Sequence, residues 1–228
     1  MRLIVPAAGL GSRFREAGYT VPKPLIAARG VPMIRRVVDM FPTLQPLAIV
    51  RPNISRDVRG LGIPTVEIDY LQQGAALSIL CANGHIDDDE SVLIVNSDNI
   101  FDCDLGAFLK ACEGTEGCIM TMEVDGGPWS YVQVDTEDKV RIVVEKQQIS
   151  NLATTGAYYF HTWRALRWAI CHQVTYHETF RNEFYLAPCY MPIIISGNNV
   201  RHYKIEPDQF ISLGTPEALQ KYNDRWGV

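Results

Sequence analysis

The sequence lacks an excess of basic residues, and this absence limits the partners that the protein can have. Among its 228 residues, 26 acidic side chains outnumber 21 basic ones, which gives a formal net charge of −5 at pH 7. Because nucleic-acid backbones select basic surfaces, we expect no nucleic-acid-binding face. A small phosphorylated substrate needs only a local basic pocket, which this balance permits.

Long apolar runs are also absent. A membrane-spanning helix needs about 20 consecutive apolar residues, and no stretch of the sequence approaches that length. The apolar run at the N-terminus gives way to Ser12 and Arg13 almost at once, so it predicts a buried first strand and not a targeting segment. We therefore expect a cytoplasmic protein that does not contact a membrane.

The cysteines and histidines lack the spacing of a metal or redox site. No Cys-x-x-Cys pair occurs, which argues against a zinc centre and predicts reduced, mostly buried thiols. The histidines show no ligand spacing either, and we interpret them as structural or surface residues. The cysteines lie at positions 81, 103, 112, 118, 171 and 189, and the histidines at 85, 161, 172, 177 and 202.

The first half of the chain does contain a regular alternation of strand and helix patterns. Short apolar runs predict buried strands, and apolar residues at near-helical spacing predict helices between them. This alternation is typical of an α/β protein with a Rossmann-like, mostly parallel central sheet flanked by helices. Strands are predicted over 3–5, 46–50, 65–68, 91–96 and 118–124, and helices over 32–41, 74–83 and 105–112.

The second half has a different pattern. Two alternating runs, 131–135 and 140–145, predict a hairpin-like pair, and 154–160 predicts a further strand. Helices are predicted over 162–172 and 216–226. We therefore expect a small antiparallel sheet beside the parallel one. Because no linker, repeat or low-complexity stretch interrupts the chain, we predict a single domain over residues 1–228.

The most informative motif is the glycine loop after the first strand. Gly9 and Gly11 let the backbone turn tightly and bring N–H groups close to anionic oxygens. The loop is not a mononucleotide P-loop, which would end in Gly-Lys-Ser/Thr, and it is not a dinucleotide fingerprint, because Phe14 replaces the third glycine. A Gly-x-Gly pair alone is equally consistent with a plain tight turn.

Basic residues near the loop favour phosphate binding. Arg13 follows the loop directly, and Lys23 lies between Pro22 and Pro24. Prolines on both sides restrict the backbone around that lysine. A stiffened segment that carries one lysine near a glycine loop suits the charge of a triphosphate, with a solvated surface lysine as the alternative.

These residues together resemble a known family. Ala-Ala-Gly-Leu-Gly-Ser-Arg-Phe at 7–14, followed by Pro-Lys-Pro-Leu at 22–25, is similar to the signature of the sugar-phosphate nucleotidyltransferases, or nucleotide-sugar pyrophosphorylases. Choline-phosphate-type cytidylyltransferases carry a similar loop. The resemblance implies the nucleotide-diphospho-sugar transferase fold. It also implies nucleotide contacts at Ala7, Ala8, Gly9, Gly11 and Ser12.

Gln73 and Gly74 extend the resemblance toward the base. They are similar to the family segment that meets the base and ribose and that opens the next helix. A side-chain amide can donate and accept at once, which suits the reading of a base edge. The alternative is a polar loop before a helix.

Asp98 and Asn99 follow the most apolar predicted strand. They resemble the family's Gly-Asp-Asn-Ile-Phe segment, with Ser97 in place of the glycine. Ligands collect at the carboxyl ends of strands in open α/β sheets, so the resemblance implies that Asp98 holds Mg²⁺ against triphosphate oxygens. Asp98 would act with Arg13 and Lys23 in catalysis, and Asn99 would contact the substrate.

On the acceptor side the matches are shorter. Glu145 and Lys146 resemble the family's Glu-Lys-Pro segment, which implies that the lysine binds the acceptor's phosphate and the glutamate a sugar hydroxyl. An exposed ion pair at a strand end is the alternative. Gly156 and Tyr158 lie in a segment similar to the Thr-Gly-x-Tyr-x-Phe strand that lines the sugar pocket. Glu183 falls where the family has an acidic residue before an acceptor-side helix.

The last segment departs from the family pattern. Residues 211–217 look like Asp-x-Gly-Thr-Pro-Glu, but Ser212 stands in the place of the second metal carboxylate. Serine is a poor Mg²⁺ ligand compared with a carboxylate. Three interpretations stay open. Asp98 and phosphates hold the metal with water in the gap, which we favour, or Asp208 substitutes, or the activity is weak or lost.

The implied reaction is nucleotidyl transfer with Mg²⁺. A phosphate oxygen of a phosphorylated small-molecule acceptor attacks the α-phosphorus of a nucleoside triphosphate, and pyrophosphate leaves. A sugar 1-phosphate is the favoured acceptor, and the product is then a nucleotide sugar. The sequence identifies neither the base nor the acceptor, and it is compatible with a homo-oligomer.

Three alternatives change the acceptor or the activity. A cytidylyltransferase could act on choline phosphate, with an aromatic cage around the quaternary ammonium. A catalytically silent relative could sense nucleotides. A glycosyltransferase could use the Asp-Cys-Asp run at 102–104. The cage would consist of Tyr158, Tyr159, Trp163 and Trp168.

Overall fold

Helices and strands alternate along the first half of the chain in the computed structural model, which describes residues 1–70 and 72–225. The strands are β1 Arg2–Pro6, β2 Ala27–Ala28, β3 Val31–Pro32, β4 Gln45–Val50, β5 Thr65–Glu67, β6 Val92–Val95, β7 Asn99–Phe101, β8 Gly117–Glu123, β9 Ser130–Val134, β10 Val140–Glu145, β11 Leu152–Phe160, β12 Val200–Ile205 and β13 Phe210–Ser212. The helices are α1 Ser12–Glu16, α2 Met33–Asp39, α3 Pro52–Gly60, α4 Ala75–Leu80, α5 Leu105–Cys112, α6 Trp163–Tyr176, α7 Tyr190–Ile195 and α8 Pro216–Asp224. Short 3₁₀ turns occupy Lys23–Leu25, Ala187–Cys189 and Pro207–Gln209.

Nine of the described strands form one sheet, whose parallel part has the order β6-β1-β4-β5. β1 lies in the middle of that part, where Leu3, Ile4 and Val5 are fully buried. A strand that is buried on both faces needs a continuous apolar run, which explains the composition of the N-terminus. Because β1 and β6 are parallel neighbours, their carboxyl ends emerge side by side at one edge of the sheet.

Strand β11 joins the parallel part to the antiparallel part. Residues 157–160 pair with β6, whereas Leu152 and Ala153 pair with β9 on the same edge. β8 takes the opposite edge of β11, with β12 beyond it. The chain that leaves β6 lies between the two pairings, where the Asn96 N–H donates to the Gly156 carbonyl at 3.2 Å. The sheet therefore opens beside the carboxyl end of β6.

Helices cover both faces of the sheet. Ile4 points to the face covered by α4, α6 and α7, and its neighbours Leu3 and Val5 point to the face covered by α2, α3 and α5. This split follows from the alternation of side chains along a strand. A third cluster, which includes Phe14 and Leu219, packs α8 against the segment that follows the glycine loop.

The predicted fold class is confirmed: a mostly parallel sheet with flanking helices carries smaller antiparallel parts. β9 and β10 form the predicted antiparallel pair, but through β11 they are continuous with the large sheet. The terminal helix was predicted to reach Trp226, which lies outside the described residues, and α8 ends at Asp224. No helix in the described part of the chain is long and apolar enough to span a membrane.

Several elements were not predicted, for physical reasons. α3 buries only Ile54, Ser55 and Val58 along a mainly polar sequence, so its apolar stripe is narrow. β12 mixes charged and apolar residues because it is an edge strand that pairs only with β8 among the described strands. α7 contains Pro192 and a run of isoleucines, which are weak helix formers, and it becomes helical by packing on the sheet.

Candidate active site

The glycine loop leaves the sheet at the carboxyl end of β1. Ala7 and Ala8 are buried, and the Ala7 N–H donates to the Ile49 carbonyl at 2.8 Å, which keeps the start of the loop on the sheet. Gly11 adopts a left-handed conformation (φ 60°, ψ 37°) at the start of α1. A Cβ on Gly11 would lie 3.0 Å from the Cβ of Lys23. The missing side chain therefore lets the lysine approach the loop closely.

Lys23 and Asp98 form an ion pair beside the loop. Lys23 Nζ lies 2.6 Å from Asp98 Oδ2, and the two side chains are only 22% and 14% exposed. The lysine begins a 3₁₀ turn in which the Leu25 N–H donates to the Pro22 carbonyl at 2.9 Å. The prolines thus fix the backbone of the lysine, and the end of β6 fixes its carboxylate partner.

Ser212 lies beside Asp98. Strand β13 pairs with β7, and the Leu213 N–H donates to the Asp98 carbonyl at 2.7 Å. A Cβ on Gly214 would lie 3.2 Å from Asp98 Oδ2, 3.3 Å from Ser212 Oγ and 4.0 Å from Arg13 Nη1. Ser212, where the resemblance implied a second carboxylate, therefore does lie next to Asp98, but it presents a hydroxyl group. The guanidinium of Arg13 also lies close to this position.

The oxygen atoms of Asp98 and Ser212 suit a metal ion that binds together with a phosphate ligand. Among the described residues, no group of three or more acidic, histidine or cysteine side chains could hold a metal ion by itself. Asp208, the alternative ligand, is exposed in the 3₁₀ turn before β13. Mg²⁺ keeps several waters and is commonly held by one or two carboxylates plus substrate phosphates. Asp98 alone therefore fits Mg²⁺ that is carried by a triphosphate.

A cleft of about 490 Å³ connects the loop, Lys23 and Asp98. Of the residues that the sequence assigned to the nucleotide, Ala7, Ala8, Gly9, Gly11, Ser12 and Gly74 line this cleft. Gln73, which the sequence also assigned to the nucleotide, does not line this cleft, but its neighbour Gln72 does. Glu183 and Tyr185 also border it. We call this space the first cleft.

Gly74 lets two distant segments touch. Its φ is 102°, and a Cβ there would fall 2.6 Å from the backbone nitrogen of Phe184 and closer still to its carbonyl oxygen. The Phe184 N–H donates to the Gln73 carbonyl at 2.8 Å, and the Ala76 N–H donates to the Phe184 carbonyl at 3.2 Å. Gly74 is therefore required for a backbone bridge between the predicted base-reading segment and the segment that carries Glu183.

A chain of hydrogen bonds runs from Lys146 to Glu183. Lys146 Nζ donates to the Tyr185 hydroxyl at 2.8 Å, and that hydroxyl donates to Glu183 Oε2 at 2.6 Å. The ammonium group also lies 3.7 Å from Glu145 Oε1. Three predicted acceptor-side residues are thus brought together, and Tyr185, which the sequence analysis did not assign, connects them.

A second cleft, also of about 490 Å³, lies on the other side of Tyr185. Its lining includes Glu145, Phe180, Tyr185 and Met191. Glu145 is buried and accepts a hydrogen bond from the Ser130 hydroxyl. Burial raises the pKa of Glu145, and Ser130 and Lys146 oppose that shift. The second cleft therefore offers a partly apolar space next to the lysine.

Three predicted substrate-binding residues do not line either cleft but lie in the layer behind the lining residues: Asn99, Gly156 and Tyr158. Asn99 is buried and donates to the Thr155 carbonyl at 2.6 Å. Tyr158 is buried, its hydroxyl lies 2.9 Å from that of Thr154, and burial raises its pKa to about 12. A Cβ on Gly156 would collide with the side-chain amides of Asn96 and Asn99. Gly156 and Asn99 therefore pack behind Asn96 of the first cleft, whereas Tyr158 lies near Ser130 and Glu145.

The structure also bears on two of the alternatives. Asp104 caps α5, where its carboxylate accepts from the Ala107 N–H at 2.9 Å, so the Asp-Cys-Asp run does not present two free carboxylates. The proposed aromatic cage does not exist, because three of its four members are buried in the core and Trp168 is 45% exposed on α6. The three buried aromatic residues pack in the core.

Sequence reasoning missed Tyr185 and Asn96. Tyr185 lies two positions after Glu183, and in an extended segment such residues point to the same side. Asn96 is the first residue after β6 and lines the first cleft. In both cases the available signal was the position of the residue in the sequence: Tyr185 lies two positions after Glu183, and Asn96 lies two positions before Asp98.

Comparisons with known proteins show which family the chain resembles. The sequence pattern of the MobA-like NTP transferase domain matches residues 3–175. UTP–glucose-1-phosphate uridylyltransferase AglF of Haloferax volcanii is 27% identical over 242 aligned residues, which cover 99% of this chain and 96% of that protein. The 2-aminoethylphosphonate cytidylyltransferase of Lancefieldella rimae is 26% identical, with 80% and 76% covered.

A solved structure has the same fold over nearly the whole chain. The nucleoside-diphosphate-sugar pyrophosphorylase of Vibrio cholerae superposes with a TM-score of 0.82 at 25% identity, and 97% of this chain and 99% of that chain are covered. The family pattern spans well over half of the sequence and includes the glycine loop, Lys23, Asp98 and Lys146. The chain therefore belongs to the family of MobA-like NTP transferase domains.

Proposed function

We propose that this protein is a nucleotidyltransferase that condenses a nucleoside triphosphate with a sugar 1-phosphate to give a nucleotide sugar and pyrophosphate. The observation that carries the proposal is the first cleft, which has the glycine loop with the Lys23–Asp98 pair on its border and the Lys146–Tyr185–Glu183 chain beside it. Lys23 at the loop suits a triphosphate, and Lys146 suits an acceptor phosphate. The uridylyltransferase and the pyrophosphorylase described above support this assignment.

The chain's own residues would mainly align the substrates and neutralise charge. An acceptor phosphate oxygen attacks the α-phosphorus, the bond to the β-phosphate oxygen breaks, and pyrophosphate leaves. Such transfers need little covalent chemistry from the protein. Loop N–H groups, Arg13 and Lys23 would stabilise the charge on the triphosphate, and Lys146 would hold the acceptor phosphate in line.

The remaining assigned residues have more specific parts in this proposal. Ala7, Ala8, Gly9, Gly11, Ser12 and Gly74 would border the nucleotide, with the backbone of Gln73 holding the segment opposite. Glu145 and Glu183 would contact the acceptor, and Asn99, Gly156 and Tyr158 would support the wall. We treat the whole chain, 1–228, as one domain, since a single sheet carries both ends of the site.

We propose Mg²⁺ as the metal, with Asp98 as its protein ligand. When bound, the ion would supply charge neutralisation at the triphosphate oxygens. Ser212 contributes at most a neutral oxygen, so substrate phosphates and water would complete the coordination. We therefore expect the protein to bind Mg²⁺ more tightly when the triphosphate is bound than when it is absent.

A second candidate acceptor is a non-sugar phosphomonoester or phosphonate. The similarity to a 2-aminoethylphosphonate cytidylyltransferase favours it, and so does the second cleft, where carboxylates and rings lie close together. The reaction at the triphosphate would be the same. Only the group bound beyond Lys146 would change.

The test is a pyrophosphate-release screen with Mg²⁺. Four nucleoside triphosphates are each combined with several sugar 1-phosphates, choline phosphate and 2-aminoethylphosphonate. Release that depends on a sugar 1-phosphate would support the main proposal, and release that depends only on a non-sugar acceptor would support the second. Nucleotide binding without release from any pair would contradict both and indicate a silent nucleotide-binding relative.

A further inference from the structure

Tyr185 borders both clefts and accepts a hydrogen bond from Lys146, the lysine that the proposed function assigns to the acceptor's phosphate. We propose that Tyr185 is a positioning residue, which fixes the Lys146 ammonium for the acceptor's phosphate and ties it to the nucleotide side of the site. The inference rests on the proposed function, because it concerns the binding of the acceptor in that reaction.

The direction of the two hydrogen bonds follows from the groups involved. An ammonium group can only donate, and an ionised carboxylate can only accept. The Tyr185 hydroxyl must therefore accept from Lys146 at 2.8 Å and donate to Glu183 at 2.6 Å, which only the protonated phenol can do. Burial, followed by the Glu183 carboxylate, raises the pKa of Tyr185, so the phenol keeps its proton at neutral pH.

Lys146 has no shorter polar contact than the one with this phenol among the described residues. Its ammonium lies 3.7 Å from Glu145 Oε1 and sits over the rings of Tyr185 and Phe180, at 4.4 and 5.3 Å from their centres. A lysine side chain is a point charge on a flexible stem, so its position depends on its partners. Removing the phenol oxygen alone would leave the ring contacts and the 3.7 Å contact with Glu145, but it would remove the shortest hydrogen bond that fixes the ammonium group.

The backbone that carries Tyr185 is fixed from two directions. The Tyr185 carbonyl accepts from Nε2 of the fully buried Gln173 at 3.1 Å. The preceding residue, Phe184, forms the backbone bridge to Gln73 and Ala76. The phenol is therefore held by α6 and by the segment that borders the nucleotide. Lys146 is in turn positioned relative to the nucleotide through Tyr185.

The kinetic test compares Tyr185→Phe with the unaltered protein, with UTP and glucose 1-phosphate as substrates and Mg²⁺ present. Loss of one hydrogen bond to a charged group should raise the KM for glucose 1-phosphate about tenfold, and the KM for UTP should change by less than about twofold. Lys146→Ala should raise the same KM further, and adding Tyr185→Phe to it should have little extra effect, because both changes act through one group. Tyr176→Phe, at an exposed tyrosine of α6, is the matched control.

A second measurement needs no turnover. Brief acetylation with acetic anhydride, followed by peptide mass spectrometry, reports how freely each lysine reacts. Lys146 should be labelled several-fold more in Tyr185→Phe than in the unaltered protein, and exposed Lys110 should be labelled equally in both. Equal labelling of Lys146 would overturn the proposed hold on the lysine.

The outcomes separate this inference from the proposed function. An unchanged KM for glucose 1-phosphate in Tyr185→Phe, with an active unaltered protein, would overturn the positioning role alone. Equal increases in both KM values would also overturn it, because they would indicate a general structural effect. No pyrophosphate release by the unaltered protein with any pair of the screen would contradict the proposed function, while the labelling would still show whether Tyr185 holds Lys146.

Discussion

The two ends of the candidate site hold their lysines in different ways. Lys23 contacts a carboxylate directly, at 2.6 Å, from a turn fixed by prolines. Lys146 instead donates to a phenol at 2.8 Å, while the Glu145 carboxylate lies farther away, at 3.7 Å, and the Glu183 carboxylate lies beyond the hydroxyl. A direct ion pair fixes the lysine firmly beside the carboxylate that we propose for the metal. A neutral intermediary leaves the ammonium charge available to a phosphate. The first arrangement suits a polyanion with a metal, and the second suits a single exchangeable phosphate.

The largest expected effect comes from breaking the direct pair. Lys23→Ala or Asp98→Ala should lower kcat by a factor of about 10²–10³, because each removes a charged contact aimed at the triphosphate. Both variants should stay folded, since the pair lies at the edge of the cleft and not in the core. Pyrophosphate release and circular dichroism measure the two effects.

Matched variants control for the loss of charge. Lys110→Ala and Asp57→Ala remove a lysine and an aspartate from exposed positions on α5 and α3. Both should retain full activity. Near-normal release by purified Lys23→Ala or Asp98→Ala would contradict the assignment of the triphosphate end.

Gly74 allows a test of whether the two ends are joined through the backbone. A Cβ at this position would collide with Phe184, so Gly74→Ala should lower the free energy of unfolding by about 1–3 kcal/mol beyond the cost of the positive φ. It should also raise the KM values of both substrates. Gly84→Ala is the control, because Gly84 has a φ of 88° and nothing within 4 Å of its Cβ position. Equal losses in the two variants would mean that the contact with Phe184 has no role.

Ser212→Asp would sharpen the comparison at the metal. The new carboxylate would lie near Asp98, because Asp98 Oδ2 and Ser212 Oγ are both close to the Cβ position of Gly214, at 3.2 and 3.3 Å respectively. Because ligand charge strengthens the binding of hard cations, the Mg²⁺ concentration for half-maximal rate should fall about tenfold. Ser212→Asn, which adds bulk without charge, should not lower it. The rate as a function of free Mg²⁺, at a fixed triphosphate concentration, checks this.

The two ends also differ in how far the sequence could predict them. Near the glycine loop, the functional residues lie in one short segment, and the turn chemistry of Gly11 and the prolines around Lys23 is local. The nearness of the loop to the end of β6 follows from adjacent parallel strands, although the sequence analysis did not predict the Lys23–Asp98 pair itself. The fold class followed from strand and helix periodicity in the same way.

The acceptor end could not be predicted to the same degree. Lys146 and Tyr185 are 39 positions apart, and their contact depends on the left-handed backbone at Lys146 and on the bridge at Phe184. No local pattern encodes such a contact. Asn99 differs again, because a motif match assigned it to the substrate and its amide donates to the Thr155 carbonyl, a contact that the motif does not encode.

The smallest expected effect concerns Glu145, where burial and the neighbouring lysine act in opposite directions. Burial raises the pKa of this carboxyl above its ordinary value of 4.5, against the effects of Ser130 and Lys146, while the charge of Glu183 adds to the rise. A carboxyl that holds its proton more tightly in the folded state stabilises that state below pH 4.5, and this stability is lost as the pH rises through the folded-state pKa. Glu145→Gln removes the titration.

The free energy of unfolding of the unaltered protein, relative to Glu145→Gln, should therefore fall as the pH rises from about 4 to 7. Urea unfolding at a series of pH values measures this difference, and Glu113→Gln at an exposed position controls for the loss of one negative charge. A difference that grows with pH would mean that Lys146 stabilises the ionised carboxylate by more than burial disfavours it. In that case the acceptor end would hold its lysine by a direct ion pair, as the triphosphate end does.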